Sequence, residues 1–294
     1  LWIEIKGEKQ MIILTILLVI LLIIVVLAAL IFGGTFAFVY FRYDVNIFNI
    51  LSDIDKLNKT VDVEKLTPNA FDESDYISIK NNAASSTSGF LTYDPDNGFS
   101  IDITKLPTSL NTYVSLSDKQ VGAYADKEIK NNGDNQFKIL DFTLTYELLQ
   151  IEFENKEDLT TINTVAKIDL TDVKSKDNKG IDLLVYFIPD VLYISSYVDI
   201  TKTGSNMEYN LTSNSLLFNN LTNKQTAELL DAISAFTKED FSAEYFNLEI
   251  GRAICSSLIG DETNEGLAYR LKNYGAKDFR FVTENDTNYF EVYR

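Results

Sequence analysis

The chain has no histidine and a single cysteine, Cys255. The first absence removes Ser-His-Asp catalysis and imidazole metal sites. The second removes any internal disulfide, so the fold depends on its apolar core. Basic residues are scarce, 26 against 43 acidic, for a net charge of −17. That balance disfavours nucleic acid as a partner and electrostatic docking on anionic headgroups. A glycine-rich phosphate loop is missing too, and with it the usual cradle for a nucleotide. Arginine is rare beside lysine, 5 against 21, and asparagine is common, a bias of AT-rich bacterial genes.

One long stretch lacks charge altogether. Residues 12–40 read "IILTILLVILLIIVVLAALIFGGTFAFVY". A helix needs roughly 20 apolar residues to cross a bilayer, so this run is long enough to span. A secretory leader has an apolar region of only about 7–15 residues and a small-residue cleavage site. "TFAFVY" is a poor cleavage site, and no cysteine follows to take a lipid. The run is therefore expected to be a retained transmembrane anchor, residues 11–42. Gly33 and Ala37 make one small-xxx-small step, which suits ordinary tolerance of glycine better than a dimer face. Residues 1–10 read either as a mis-called leader ahead of a start at Met11 or as a short N-terminal tail.

Beyond the anchor, Ile47, Ile50, Leu51, Ile54 and Leu57 recur at helical spacing, predicting a juxtamembrane helix. It is expected to add little to the stability of the domain, which should fold alone from near Ser74. Residues 60–88 include the low-complexity "NNAASSTSG" and read as a linker, with a short strand around 76–79. The juxtamembrane helix and linker together take residues 43–88. "FLTYDPDNGFSIDI" predicts a hairpin with Asp-Pro-Asp-Asn-Gly as its turn. Its Asp94-x-Asp96-x-Gly98 lacks the further acidic ligands that a calcium loop requires, so a turn is the better reading.

Leu-[Ser/Thr]-[Asp/Asn]-Lys-Gln occurs twice, at 116–120 and 221–225. Ser117 and Thr222 stand where an N-cap hydroxyl stands, and Gln120 and Gln225 three residues on complete a capping box. Each predicts a helix start. Val121, Tyr124, Ala125 and Ile129 line the first helix, and Leu229, Leu230, Ile233 and Phe236 the second.

Between these helices the apolar period falls to two, as in strands, and at least five long strands are expected. The run 181–200, "IDLLVYFIPDVLYISSYVDI", carries three aspartates and a proline, too costly for a second span. It reads as two strands, or one bent strand, apolar on both faces. Leu183, Val185, Phe187, Leu192 and Ile194 are thus candidate lining for an apolar groove. Residues 242–260 predict a helix with Phe246, Ile250, Ala253, Ile254 and Leu258 inward. A short helix and a hairpin around "TENDT" close the chain.

Catalytic candidates are few. Cys255 sits among apolar neighbours with no base to activate it, which favours an inert core thiol. Ser256 and Ser257 with a distant lysine are a pair any chain of this length offers. The acidic excess is spread over strands and turns, as solvated faces are. No cofactor or metal is expected, and the chain reads as a non-enzyme.

The single anchor, the capped helix opening at Leu116–Gln120 and the long apolar-lined strands resemble YpmS-like single-pass envelope proteins of low-GC bacteria. More loosely they resemble extracytoplasmic domains of tubular lipid-binding type. About seventy residues separate anchor from capped helix, more than that pattern has. The resemblance implies a curved sheet around a helix with a groove for an acyl chain, and carries no catalytic residues.

The expected architecture is α+β. One transmembrane helix precedes a mostly antiparallel sheet packed with two or three amphipathic helices, the domain taking residues 89–294. Arg42 on the C-terminal side of the anchor argues for a domain inside the cell. A very short tail before a large β-rich domain argues for an exported one, and the extracytoplasmic side of the cell membrane is expected. The bilayer is then a partner through residues 12–40. Two functions compete: binding of a lipid or other apolar envelope molecule, and a structural role beside an envelope protein partner.

Overall fold

The computed structural model describes residues 47–294, apart from 108, 132–134, 140–141, 172–188, 205–206, 238–241 and 262–265. The expected anchor and residues 1–10 lie outside the described residues. Among those described, no helix is long and apolar enough to cross a membrane.

Helix α1, Ile47–Leu57, is the helix expected beside the anchor. Ile54 and Leu57, three apart, share one face and are buried. The segment read as a linker is helical instead: α2 spans Val63–Leu66 and α3 spans Glu73–Ser86. Asp72 caps α3 through a capping box with Asp75. Tyr76, Ile79 and Ala83 recur at helical spacing and are buried, so no strand forms at 76–79. The Asn- and Ser-rich stretch supplies the wet face of an amphipathic helix, which is why it reads as low complexity.

Strands β1 (Leu91–Asp94) and β2 (Gly98–Ile101) form the expected hairpin. Asp94 Oδ1 accepts from the backbone N–H groups of Asp96 and Asn97 at 3.0 and 3.1 Å. The carboxylate is committed to its own turn. Strand β3 (Thr112–Ser117) then runs directly into α4 (Asp118–Asn131).

Five strands follow: β4 (Gln136–Ile139), β5 (Phe142–Asn155), β6 (Thr160–Asp169), β7 (Val191–Lys202) and β8 (Tyr209–Phe218). They make an antiparallel meander in chain order. Next come α5 (Asn223–Thr237), α6 (Ala243–Leu258) and α7 (Leu267–Lys272), then β9 (Asp278–Glu284) and β10 (Thr287–Tyr293). Asn285 and Asp286 join β9 to β10, both at positive φ, as a tight right-twisted hairpin requires.

β10 is the centre of a second antiparallel sheet, ordered β3-β10-β9. Phe290 lies opposite Leu116 and Val292 opposite Val114, so the last strand pairs with the one that launches α4. The two sheets meet through rings: Phe153 on β5 and Phe281 on β9 have centroids 4.8 Å apart, in edge contact. Lys202 on β7 pairs with Asp278 and donates to the Phe279 carbonyl at 3.0 Å, tying the same two layers together.

The fold is α+β with antiparallel sheets, as expected, but seven α-helices stand among the described residues rather than two or three. α4 is deeply enclosed: Val121 and Ala123 are fully buried, and the aromatic Tyr124 and the acidic Asp126 are buried beside them. A Cβ on Gly122 would come within 2.6 Å of the Phe71 ring and 3.4 Å of the Ile151 backbone nitrogen. Glycine there lets α4 and Phe71 settle against β5.

Candidate functional site

The run expected to line a groove is half described. Leu183, Val185 and Phe187 lie outside the described residues. Leu192 and Ile194 fall on β7, which pairs with β6 on one side and β8 on the other. Leu192 stands opposite Ile168, and Ile194 stands between Ala166 and Phe218. Leu192 is 1% exposed and Ile194 7%. Both belong to a filled core. The described half of the run is also not apolar on both faces. Leu192, Ile194, Val198 and Ile200 share the covered face, while Tyr193, Ser195, Tyr197 and Asp199 alternate onto the other.

Helix α6 covers that face along β7 and β8. Its buried stripe is Phe246, Asn247, Gly251, Cys255 and Leu258. Ala253 is exposed and Ile250 and Ile254 only partly buried, so the helix is rotated from its expected setting. Two contacts explain the rotation. A Cβ on Gly251 would lie 2.7 Å from Val198 Cγ1, so the glycine lets the backbones approach. Asn247, fully buried, meets the point where β7 and β8 slip register, at Tyr197 and Val198. Its Nδ2 donates to the Tyr197 carbonyl at 2.6 Å and to Ser213 Oγ at 3.0 Å, and its Oδ1 accepts from Ser196 Oγ at 2.5 Å. A bulge leaves ladder groups unpaired, and here a side chain serves them.

Both capping boxes form. Gln120 N–H donates to Ser117 Oγ at 3.2 Å, and Ser117 N–H donates to Gln120 Oε1 at 2.9 Å. At the second helix Gln225 N–H donates to Thr222 Oγ1 at 3.3 Å, and Thr222 N–H donates to Gln225 Oε1 at 3.1 Å. Each glutamine then uses its remaining amide hydrogens on an earlier helix. Gln120 Nε2 donates to Ser78 Oγ of α3 at 2.7 Å, and Gln225 Nε2 donates to Asp53 Oδ1 of α1. Leu229 and Leu230 of α5 are buried as expected, whereas the side chains of Ile233 and Phe236 lie outside the description.

A second contact fastens α1. Asn219 sits in the left-handed region, φ +44°, where asparagine is tolerated. Its Nδ2 donates to the Leu57 carbonyl at 2.6 Å and to the Val191 carbonyl at 3.2 Å, while its Oδ1 accepts from Tyr193 N–H at 2.6 Å. Asn220 Nδ2 donates to the carbonyls of Lys59 and Lys56 at 2.8 and 3.2 Å. The helix expected to add little to the stability of the domain is docked on it. Two adjacent asparagines at a strand-to-helix turn were the available signal, and nothing local says what they reach.

Chemically reactive groups are subdued. The Cys255 thiol is fully buried, and burial pushes it up to about 12. Its position on the sheet side of α6 fits the inert reading. Among the described residues no group of three or more His, Cys, Asp or Glu is placed to hold a metal. Glu128 on α4 has its carboxyl raised by burial, opposed by the charge of Arg270 on α7. Arg270 donates from Nη2 to the Phe99 carbonyl at 3.1 Å. No family model matches the chain, and neither the curated proteins nor the solved structures include a match to it.

Proposed function

We propose that the chain is a non-enzymatic envelope protein: an α+β domain carried extracytoplasmically on an N-terminal transmembrane anchor, serving as a structural partner within an envelope protein complex. The observation that carries this reading is the burial of Leu192 and Ile194 beneath the chain's own side chains. An acyl-chain groove needs such residues open to a ligand, and here their contacts are already made. The long uncharged run at 12–40 supports the anchor. The order of anchor, capped helix and long strands, which resembles YpmS-like proteins, supports the envelope setting.

Two measurements on the full chain test it. Protease added to intact protoplasts should digest the domain, and survival of the domain would place it inside the cell. Native mass spectrometry after gentle detergent exchange should give the bare polypeptide mass. In-membrane crosslinking should at the same time give discrete larger species. A one-to-one lipid adduct that survives exchange, without crosslinked partners, would overturn the structural reading in favour of lipid binding.

A further inference from the structure

We propose that β8 is an interaction edge whose partner is the β8 of a second copy, the two strands pairing antiparallel about a two-fold axis at Leu211. This goes beyond the reading above and requires neither the anchor nor the envelope setting.

A sheet edge presents a row of unpaired N–H and C=O groups, and folded proteins block such rows with charge, proline or a covering element. β8 is an edge of the five-stranded sheet. Its C-terminal half is blocked. Leu216 N–H donates to Asn223 Oδ1 at 3.0 Å and Phe218 N–H to Thr226 Oγ1 at 3.2 Å, so the start of α5 occupies that half. The N-terminal half is built differently. Thr203 N–H donates to the Glu208 carbonyl, and from Tyr209 the register with β7 runs unbroken to Ser213. Backbone groups alternate sides along a strand. Those of Asn210 and Thr212 therefore face β7, and those of Tyr209, Leu211 and Ser213 face away from it. Among the described residues nothing bonds to that outward row.

The other edges of the two larger sheets are protected. β4 is only four residues long, β9 carries Asp278, Arg280 and Glu284, and β3 has α3 and α4 packed against it. β8 holds neither charge nor proline in its ten residues. With a net charge of −17, two copies repel over most of their surface, and a strip free of charge is where they can meet. A second copy also brings an identical row, and a two-fold axis satisfies both rows at once. Pairing Leu211 with its own counterpart sets Tyr209 against Ser213 and makes about six backbone hydrogen bonds. It also sets the exposed Asn210 opposite the exposed Thr212 of the partner subunit, with no charge between them.

The test is sedimentation equilibrium of the full chain in detergent, at loadings up to about 100 μM, where a dimer of micromolar affinity is populated. The parent should sediment as a dimer. Asn210→Glu combined with Thr212→Glu puts like charges directly opposite each other and should weaken that dimer by at least about tenfold. Both positions are exposed, and continued protection of the buried Cys255 from a thiol reagent shows that the variant has folded. Mixing it with a chain carrying Asn210→Lys and Thr212→Lys should restore a dimer with one copy of each. A monomeric parent overturns the proposal. So does a dimer that survives the paired glutamates, or one that mixing does not restore.

Discussion

Asn247 Nδ2 lies 2.6 Å from the carbonyl oxygen of Tyr197, joining α6 to the strand it covers at the point where the β7–β8 register slips. Four polar groups converge there: the buried Asn247 and Ser196, that carbonyl and the half-buried Ser213. An apolar side chain in place of Asn247 strands the carbonyl and both hydroxyls. Asn247→Leu should destabilise the fold by about 3 kcal/mol in urea unfolding, and Ser196→Ala by about 1 kcal/mol. A loss for Asn247→Leu no larger than that for Ser196→Ala would mean that the network relaxes and the carbonyl finds another donor.

Gly251 against Val198 is a steric lock. With only 2.7 Å available to a Cβ, Gly251→Ala should cost about 1–3 kcal/mol by overpacking, despite the better helix propensity of alanine. Val198→Ala opens a cavity on its own. In the double variant each change fills what the other lacks, so its loss should be clearly smaller than the sum of the two. Simple additivity in a double-mutant cycle would show that α6 slides instead of clashing.

The caps should be separable from their neighbours. Ser117→Ala and Thr222→Ala should each cost about 1 kcal/mol. Asp118→Ala should cost less: burial raises the carboxyl, so the charged form is held against a desolvation penalty. Equal losses at Ser117 and Asp118, measured by chemical unfolding, would move the functional start of α4 one residue on.

Glu128 gives a pH signature. Burial raises its carboxyl, against the pull of Arg270, above the value it has in the unfolded chain. The unfolded state therefore loses this proton first as pH rises. The favourable contribution is full below the unfolded carboxyl range and fades as pH climbs through the folded value. Glu128→Gln should remove that component from the stability curve between acid and neutral pH. The variant should be at least as stable as the parent at pH 7. A parallel pair of curves would show that Arg270 compensates fully.

Cys255 should report global unfolding. With its thiol pushed up to about 12 and no surface exposed, it should resist a disulfide reagent at pH 8 while the chain is folded. Labelling should appear at the rate of unfolding, along the same urea transition as loss of near-ultraviolet circular dichroism. Fast labelling in native buffer would mean that α6 opens locally.

Local chemistry determined a good deal of this protein from its residues alone. Capping boxes at Ser117 and Thr222, the turn at Asp94, the two-residue period of β5 to β8 and the closing hairpin are legible because each depends on residues within a few positions of one another. Even the antiparallel pairing of β4 with β5, β5 with β6 and β7 with β8 follows from connections too short for a crossover. Tertiary structure decided what those elements touch. Whether α6 turns Ala253 or Asn247 inward depends on a bulge about fifty residues earlier in the chain. The helical state of the polar stretch ending at Ser86 rests on Tyr76, Ile79 and Ala83 finding a core. Leu192 and Ile194 read equally well as groove or core until a covering helix is in place. Docking of α1 joins Asp53 to Gln225, 172 positions on. No local pattern carries such a pairing, because burial and hydrogen bonding are satisfied across space and not along the chain.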